Sequence, residues 1–440
     1  MSVPDELRRY VPRTDLYDSY ELISYHMPVE QPPASYSYEI FRKGNKTYAK
    51  NGTYGHIEYE STDAATTIQH ALNQLSNGGK IFIKAGTYRI SSMITVNASS
   101  SSMPIIIEGE GLATILNSTV SDSPTIKLYN SNVYPELIIR NLLLQSSTKV
   151  ANRDGIQINE AHFALIENVK LINFDKAIHI MDSNNVALEN LGVTAANYGV
   201  YTEYTGTSYA DTLIIKRAHI SWCSNAGIYL DSANFVHLED LLFAYNVMSI
   251  HAYKDVHQLF VENCFFEGGS DTPEVYLEGI SWKYPLRIAT FKNCRWSGTA
   301  NTTDAVQVGY VHRLRFENCR SAGHTNFINS RADATTNERK IEVDWQCKID
   351  DTNIANNLNT LIINNPDFIT ENSGTATISA GNTSITVNHG LAGTPSKVLV
   401  TPIGDPGDRF WVANITNTSF DIVVATAPTV DVDFCWQAKV

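Results

Sequence analysis

Positive charge is scarce in this chain. Its 440 residues carry 33 Lys and Arg against 46 Asp and Glu, a formal charge of -13. That balance argues against a general electrostatic grip on nucleic acid or an anionic membrane, since both need basic surface. Charge of either sign is sparse at 18%, while 43% of residues are hydrophobic and 22 are Tyr. This is the composition of a folded, β-rich chain and not of a disordered one. No apolar run reaches the roughly 18 residues of a bilayer span. The opening residues MSVPDELRRY lack an apolar leader core, so no secretory signal is read there. The cysteines are Cys223, Cys264, Cys294, Cys319, Cys347 and Cys435, and none forms a CxxC pair. The usual zinc and thioredoxin signatures are therefore missing, as are the glycine-rich phosphate loops.

What the chain does have is repetition. Residues 1–60 read as a Tyr- and Pro-rich arm followed by a hairpin around Asn51-Gly52. Ile68, Ala71, Leu72 and Leu75 then fall at helical spacing, with Asp63 as cap and Asn77-Gly78-Gly79 as stop. From about residue 137 two series of short strands alternate. The first includes FALIENVKLINF (163–174), LFVENCFFEG (259–268) and LRFENCRSAG (314–323), each with a polar residue at a central bend. The second includes DGIQIN (154–159), YGVYTE (198–203), AGIYLD (226–231), VMSIHA (247–252) and PEVYLE (273–278). Apolar markers of the second series, Ile156 through Met248 to Phe327, recur about every 24 residues, a solenoid period without intervening helices.

The bends carry Asn141, Asn168, Asn190, Asn263, Asn293 and Asn318, with Arg217 and Asp240 in two coils. Asn tolerates unusual dihedrals and can bond its neighbours from coil to coil. Cys264, Cys294 and Cys319 follow three of these residues at one phase and read as an inward column of thiols. Cys223 and Cys435 read as small packed residues. After about 355 the repeat fades. Residues 369–390 alternate, with turns expected at Asn372-Ser373-Gly374 and Gly381-Asn382, and short strands follow in an antiparallel sandwich pattern. The expected organisation is an N-terminal arm and hairpin (1–60), a β-helix domain with a capping helix (61–368), and a C-terminal β-sandwich (369–440).

The segment DAATTIQHALNQLSNGGKIFIKAGTYRI (63–90), with the Asn-marked coils after it, resembles the pectate-lyase-like, right-handed parallel β-helix proteins. These include polysaccharide lyases, glycoside hydrolases and phage tailspikes. The resemblance implies an all-β fold and a polysaccharide ligand. The superfamily hosts lyases, hydrolases, epimerases and adhesins, so it fixes no chemistry. In such proteins the ligand groove lies along one face of the solenoid, over the first parallel sheet.

If the second series is that sheet, one outward column reads Gln157, His179, Tyr201, Tyr229, Ser249, Tyr276 and Gln307. The next reads Asn159, Met181, Glu203, Asp231, His251, Glu278 and Gly309. Acids in line beside tyrosines suit a sugar polymer, with rings stacking on sugar faces and carboxylates acting on the glycosidic oxygen. The bland alternative is an ordinary solvated sheet face. The catalytic expectation is Asp231 or Glu203 as general acid, Glu278 as the base that activates water, and His251 as tuning partner. Tyr201, Tyr229, Tyr276, His179, Gln157 and, in the following turn, Trp282 are the expected substrate contacts.

These residues point first to a glycoside hydrolase without a metal. A β-eliminating lyase is the alternative, and Ca²⁺ enters only there. The two columns hold no Arg or Lys, which favours a neutral glycan. A non-catalytic glycan-binding adhesin is the third class. The resemblance implies an extracellular or virion-surface location. Homo-oligomerisation, as a trimer if tailspike-like, is as compatible with the composition as a monomer.

Overall fold

The computed structural model describes residues 36–440, except 100, 102, 131–135, 207–209, 269–271, 282, 299–303, 332–339, 345, 357–360, 365–370 and 392. The expected arm, the turn residue Trp282 and the boundary near 368 lie outside the described residues.

Three short antiparallel strands, Tyr38–Lys43, Lys46–Asn51 and Ile57–Ser61, precede the helix Ala64–Asn73, and Asn51-Gly52 opens the turn between the last two. The Asp63 carboxylate accepts from the Ala65 N–H, and Ile68, Ala71, Leu72 and Leu75 are buried. The helix ends at Asn73, ahead of the expected stop, and Gly78 with φ +85° shapes the turn after it.

Beyond the helix the chain winds as a parallel solenoid. Eleven strands stack in register into one sheet, from Ile94–Asn97 through Tyr198–Glu203 to Asn353–Asn356. The first series forms the larger sheet, in which each bent pair lies on the pairs before and after it. Every coil buries one face of each strand, and the resulting core runs unbroken from Tyr38 to Ile349. Side chains stack on like side chains: Phe243 lies on Phe266 at 5.1 Å and Phe266 on Trp296 at 4.9 Å. Truncating one such ring to Ala typically costs about 3–5 kcal/mol, because neighbouring coils cannot collapse into the hole.

The bend after the first strand takes a left-handed residue in eight consecutive coils. Asn141, Asn168, Asn190, Arg217, Asp240, Asn263, Asn293 and Asn318 all have φ between +48° and +59°. Their side chains form the expected ladder: Asn168 donates to Asn141 at 3.1 Å, Asn293 to Asn263 at 3.1 Å and Asn318 to Asn293 at 2.8 Å. Arg217 and Asp240 keep the pattern, Arg217 donating to Asn190 and Asp240 accepting from Asn263. A second bend, after the short strand, is also left-handed, through Asn173, Ala195, Trp222 and Tyr245 at φ between +55° and +63°. For residues bulkier than Asn or Gly that backbone costs roughly 1–2 kcal/mol.

Cys264, Cys294 and Cys319 form the buried thiol column, and Cys347 extends it. Cys223 is buried as expected, with burial raising its thiol to about 12, whereas Cys435 is exposed. Cys435 sits at an outward position of the alternating strand Val432–Lys439, between buried Phe434 and Trp436. Two inward markers also change. In-register pairing puts Ile250 and Ile328 beside Val275 and Val306, in place of Met248 and Phe327.

At the C-terminus two three-stranded antiparallel sheets share a core that includes Ile378, Phe420, Ile422, Phe434 and Trp436. One holds Glu371–Ile378, Val432–Lys439 and Lys397–Pro402, the other Ser384–Asn388, Ser419–Val424 and Phe410–Ala413. Gly381-Asn382 is a turn, but Asn372-Ser373-Gly374 lies inside a strand, where it pairs with Val432–Lys439. Gly374 leaves room there for the Trp436 ring, whose atoms lie 3.0 Å from where a Cβ would sit.

Candidate functional site

Parallel register turns the sequence columns into physical ones. Lys127, Gln157, His179, Tyr201, Tyr229, His251, Tyr276, Gln307 and Asn329 are successive partners across the eleven-stranded sheet. His251 therefore stands between Tyr229 and Tyr276, in the column expected to hold Ser249. Ser249 is buried and donates to Glu274. A two-residue slip preserves which face a side chain takes but moves it along the strand, so alternation alone did not expose the error.

The column is a continuous aromatic ladder. Tyr201 and Tyr229 stack at 4.8 Å and 5°, and His251 and Tyr276 at 5.0 Å and 15°. Edge contacts join His179 to Tyr201 and Tyr229 to His251. Tyr198 and Tyr253 flank it, Tyr198 edge-on to Tyr201 at 4.9 Å and Tyr253 stacked on Tyr229 at 5.7 Å. Burial, reinforced by the charges of Glu203 and Asp231, pushes the Tyr201 phenol up to about 12. Burial raises Tyr229 further in the same direction. Both therefore present hydroxyl groups rather than phenolates.

The acids sit where the strands end. Glu203 closes Tyr198–Glu203, while Asp231 and Glu278 immediately follow Ala226–Leu230 and Val275–Leu277. Tyr253, the coil between them, fills the place expected for His251, its N–H bonding to Leu230. Asp231 accepts the Tyr204 N–H at 3.2 Å.

Two clusters organise this face. In the first, His179 lies between carboxylates, its Nδ1 2.7 Å from Asp154 and its Nε2 2.7 Å from Glu203. Each contact needs a proton between nitrogen and oxygen, so the Asp–His–Glu chain holds two. Asp154 is buried, with Lys176 at 3.6 Å, and the Glu203 side chain is 40% exposed. Glu203 thus forms the outward end of the chain and Asp154 the inward end. A cavity of about 540 Å³ opens there, lined by Lys127, Asp154, Gln157, Lys176, His179, Tyr201 and Glu203, among others.

In the second cluster, Glu278 accepts from Arg331 at 3.0 Å and lies 2.8 Å from His251 Nε2. Arg331 also donates to the Tyr276 hydroxyl at 3.1 Å. Arg331 follows the strand Asn326–Ser330, two coils beyond Glu278. The intervening position is Gly309, where even a Cβ would strike the Glu278 backbone, so the guanidinium reaches across.

Sequence reasoning missed Asp154, Lys176, Lys127 and Arg331. Lys127 and Arg331 were one repeat beyond each end of the columns as read. Their presence overturns the statement that the columns lack Arg and Lys. Asp154 lies two residues before the strand Ile156–Asn159 and Lys176 opens Lys176–Met181, so neither belongs to the columns read from the sequence. Trp282 lies outside the described residues. Among the described residues no group of three or more His, Cys, Asp or Glu is arranged to hold a metal ion, and no helix is long and apolar enough to cross a membrane.

Residues 104–266 match the family described as the right handed beta helix region. No curated protein matches the sequence. Among solved structures, ORF18 of Geobacillus virus E2 is 14% identical over 88% of this chain and 84% of that one, with a TM-score of 0.44. An alginate lyase from Paenibacillus sp. FPU-7 is 15% identical over 68% and 95%, with a TM-score of 0.43. The tailspike gp49 from Pseudomonas phage LKA1 is 11% identical over 84% and 92%, with a TM-score of 0.39. None of these supplies a residue role for this chain. With its parallel register continuing on both sides of the matched segment, the protein is by fold a right-handed parallel β-helix carrying a small C-terminal β-sandwich.

Proposed function

We propose that the protein is a polysaccharide-cleaving enzyme that hydrolyses glycosidic bonds on the outer face of the eleven-stranded sheet. The observation that carries this reading is the Asp154–His179–Glu203 chain, which ends in a shared proton at the edge of the cavity. Glu203 is the general acid. Asp154 orients the imidazole through its Nδ1, and His179 resupplies the proton. Asp231 is one coil away, about 4.8 Å at the backbone, within the range of carboxylate pairs that act together on one anomeric centre. The leaving oxygen takes the Glu203 proton as the glycosidic C–O bond breaks and an Asp231 oxygen bonds to the anomeric carbon; water, giving its proton to Glu203, then displaces Asp231 and releases the sugar. Tyr201, Tyr229 and Tyr276 offer ring edges and hydroxyls to the sugars. Glu278, with an oxygen each on Arg331 and His251, is a binding and orienting group in this scheme.

One observation favours a second reading. Elimination from a uronate needs a cation for the carboxylate and a base for the adjacent proton. Arg331, Tyr276 and His251 bring those groups together at the other end of the ladder. Lys127 and Arg331 also remove the reason for preferring a neutral polymer. Ca²⁺ belongs to this reading alone.

The test is incubation with neutral and uronic polysaccharides, with and without Ca²⁺, reading reducing ends and absorbance near 232 nm. Reducing ends without absorbance are expected, and Glu203→Gln and Asp231→Asn should each abolish them. Absorbance at 232 nm means elimination. Turnover by E203Q at the wild-type rate overturns the assignment, and glycan binding without any cleavage leaves an adhesin. A virion-surface or extracellular site of action, and assembly as a trimer, follow as proposals from the same reading.

A further inference from the structure

The second left-handed bend raises a separate question. Four consecutive coils need a residue with positive φ there, and the chain supplies Asn173, Ala195, Trp222 and Tyr245. Asn suits that backbone, whereas Trp and Tyr are poor choices for it. The core gains nothing from them, because Trp222 is 59% exposed and Tyr245 45%. The two rings stack on each other at 4.7 Å and 24°, which fixes them outside the solenoid wall. The Tyr245 hydroxyl reaches Glu267 on the next coil at 3.4 Å. On the other side of Trp222 the equivalent bend residue of the neighbouring coil is Ala195, which has no ring to stack. Trp222 is 59% exposed with one face on Tyr245, and the coil repeat of about 4.8 Å is the thickness of one ring-to-ring contact.

A polar ladder runs beside this pair. Asn152 donates to Asp122 at 2.7 Å and, through its N–H, to Asp175 at 3.0 Å; Asn197 donates to Asp175 at 2.7 Å, and Ser224 to Asn197 at 2.8 Å while accepting from Lys149 at 3.3 Å. Asp122 and Asn152 also line the cavity at Glu203. One strip of hydrogen-bonding groups therefore leads from the cavity to the slot above Ala195.

We infer that Trp222 and Tyr245 form a second carbohydrate site outside the cavity, in which one sugar of the polymer lies on the indole face opposite Tyr245, over Ala195. The Asn197 and Ser224 side chains bond its hydroxyls, and the polar ladder guides the chain toward the cavity. A pyranose suits this slot because it has one C–H face for the ring and a rim of hydroxyls for the ladder. The inference rests on the reading of the protein as polysaccharide-acting.

The experiment is affinity electrophoresis through gels containing dextran, laminarin, xylan, alginate or polygalacturonate. The parent is E203Q, so that the polymer survives, and the test protein adds Trp222→Asn and Tyr245→Asn. Asn already serves this bend at Asn173, so thermal unfolding should occur at the same temperature or higher. At least threefold weaker retardation is expected from the added pair. A smaller change in a gel that retards the parent overturns this inference and leaves the cleavage reading standing. A lower assembly mass in sedimentation with retardation intact makes the pair a subunit contact and also overturns it. If none of the five polymers retards the parent, the inference and the polysaccharide reading fall together.

Discussion

The two ends of the aromatic ladder use the same kinds of residue and differ in what holds them. Near the cavity, Glu203 shares a proton with an imidazole whose other nitrogen is tied to a buried carboxylate. At the far end, Glu278 meets a guanidinium and an imidazole. Both carboxylates meet an imidazole nitrogen; only Glu278 also meets a guanidinium, and in the proposed scheme that makes Glu203 the proton donor and Glu278 the orienting anion. A carboxylate's role in a stacked column is therefore set by the partners it meets across neighbouring coils, because every strand presents its acids at nearly the same height.

The sharpest test of that difference is to exchange charge for amide at each end. Glu203→Gln should reduce cleavage by about 10²–10⁴-fold, the usual weight of a positioned acid. Glu278→Gln should act mainly through KM, with kcat changed less than about tenfold. Equal losses of kcat at both ends would erase the distinction. Arg331→Met is next in size: under hydrolysis it raises KM several-fold, whereas complete loss together with loss of 232 nm absorbance would give the chemistry to the far end.

Two smaller effects concern stability against pH. Tyr201 is an acid whose folded value, about 12, is raised above its ordinary 10 chiefly by burial. The unfolded chain therefore releases this proton first, and stability falls as pH rises above 10. Tyr201→Phe should flatten the alkaline limb of Tm against pH; an unchanged limb would place that sensitivity elsewhere. Asp175 belongs to the polar ladder. Burial works to raise its carboxyl, but hydrogen bonds from Asn197 and the Asn152 N–H, with Lys176, hold it below its ordinary 3.8. Its contribution is complete above that value and is lost as pH falls through the lower folded one. Asp175→Asn should lower Tm near neutrality and flatten that part of the acid limb, so that the two proteins converge once pH lies below the folded value of Asp175.

Much of the solenoid was legible in advance. The Asn bends could be read because one backbone demand recurs in eight consecutive coils and few side chains meet it, so the pattern survives variable turns. The inward thiols at Cys264, Cys294 and Cys319 followed from the same phase. His251 was misplaced because strand alternation has a period of two and cannot count residues across the bend at 245–247. Cys435 was misjudged because its side chain type favours burial, whereas its place between Phe434 and Trp436 turns it outward.

The sequence alone determined the winding. A repeat of about 24 residues, β-branched alternation and polar bends leave stacking as the way to bury each coil's apolar face. It also put Glu203, Asp231, Glu278, Tyr201, Tyr229 and Tyr276 on one outer face. Only the tertiary structure decided which of them meet. Asp154 comes to His179 from an adjacent coil, and Arg331 crosses the gap left by Gly309. Those contacts depend on register, on the reach of a side chain and on space left by a neighbour, none of which a linear spacing encodes.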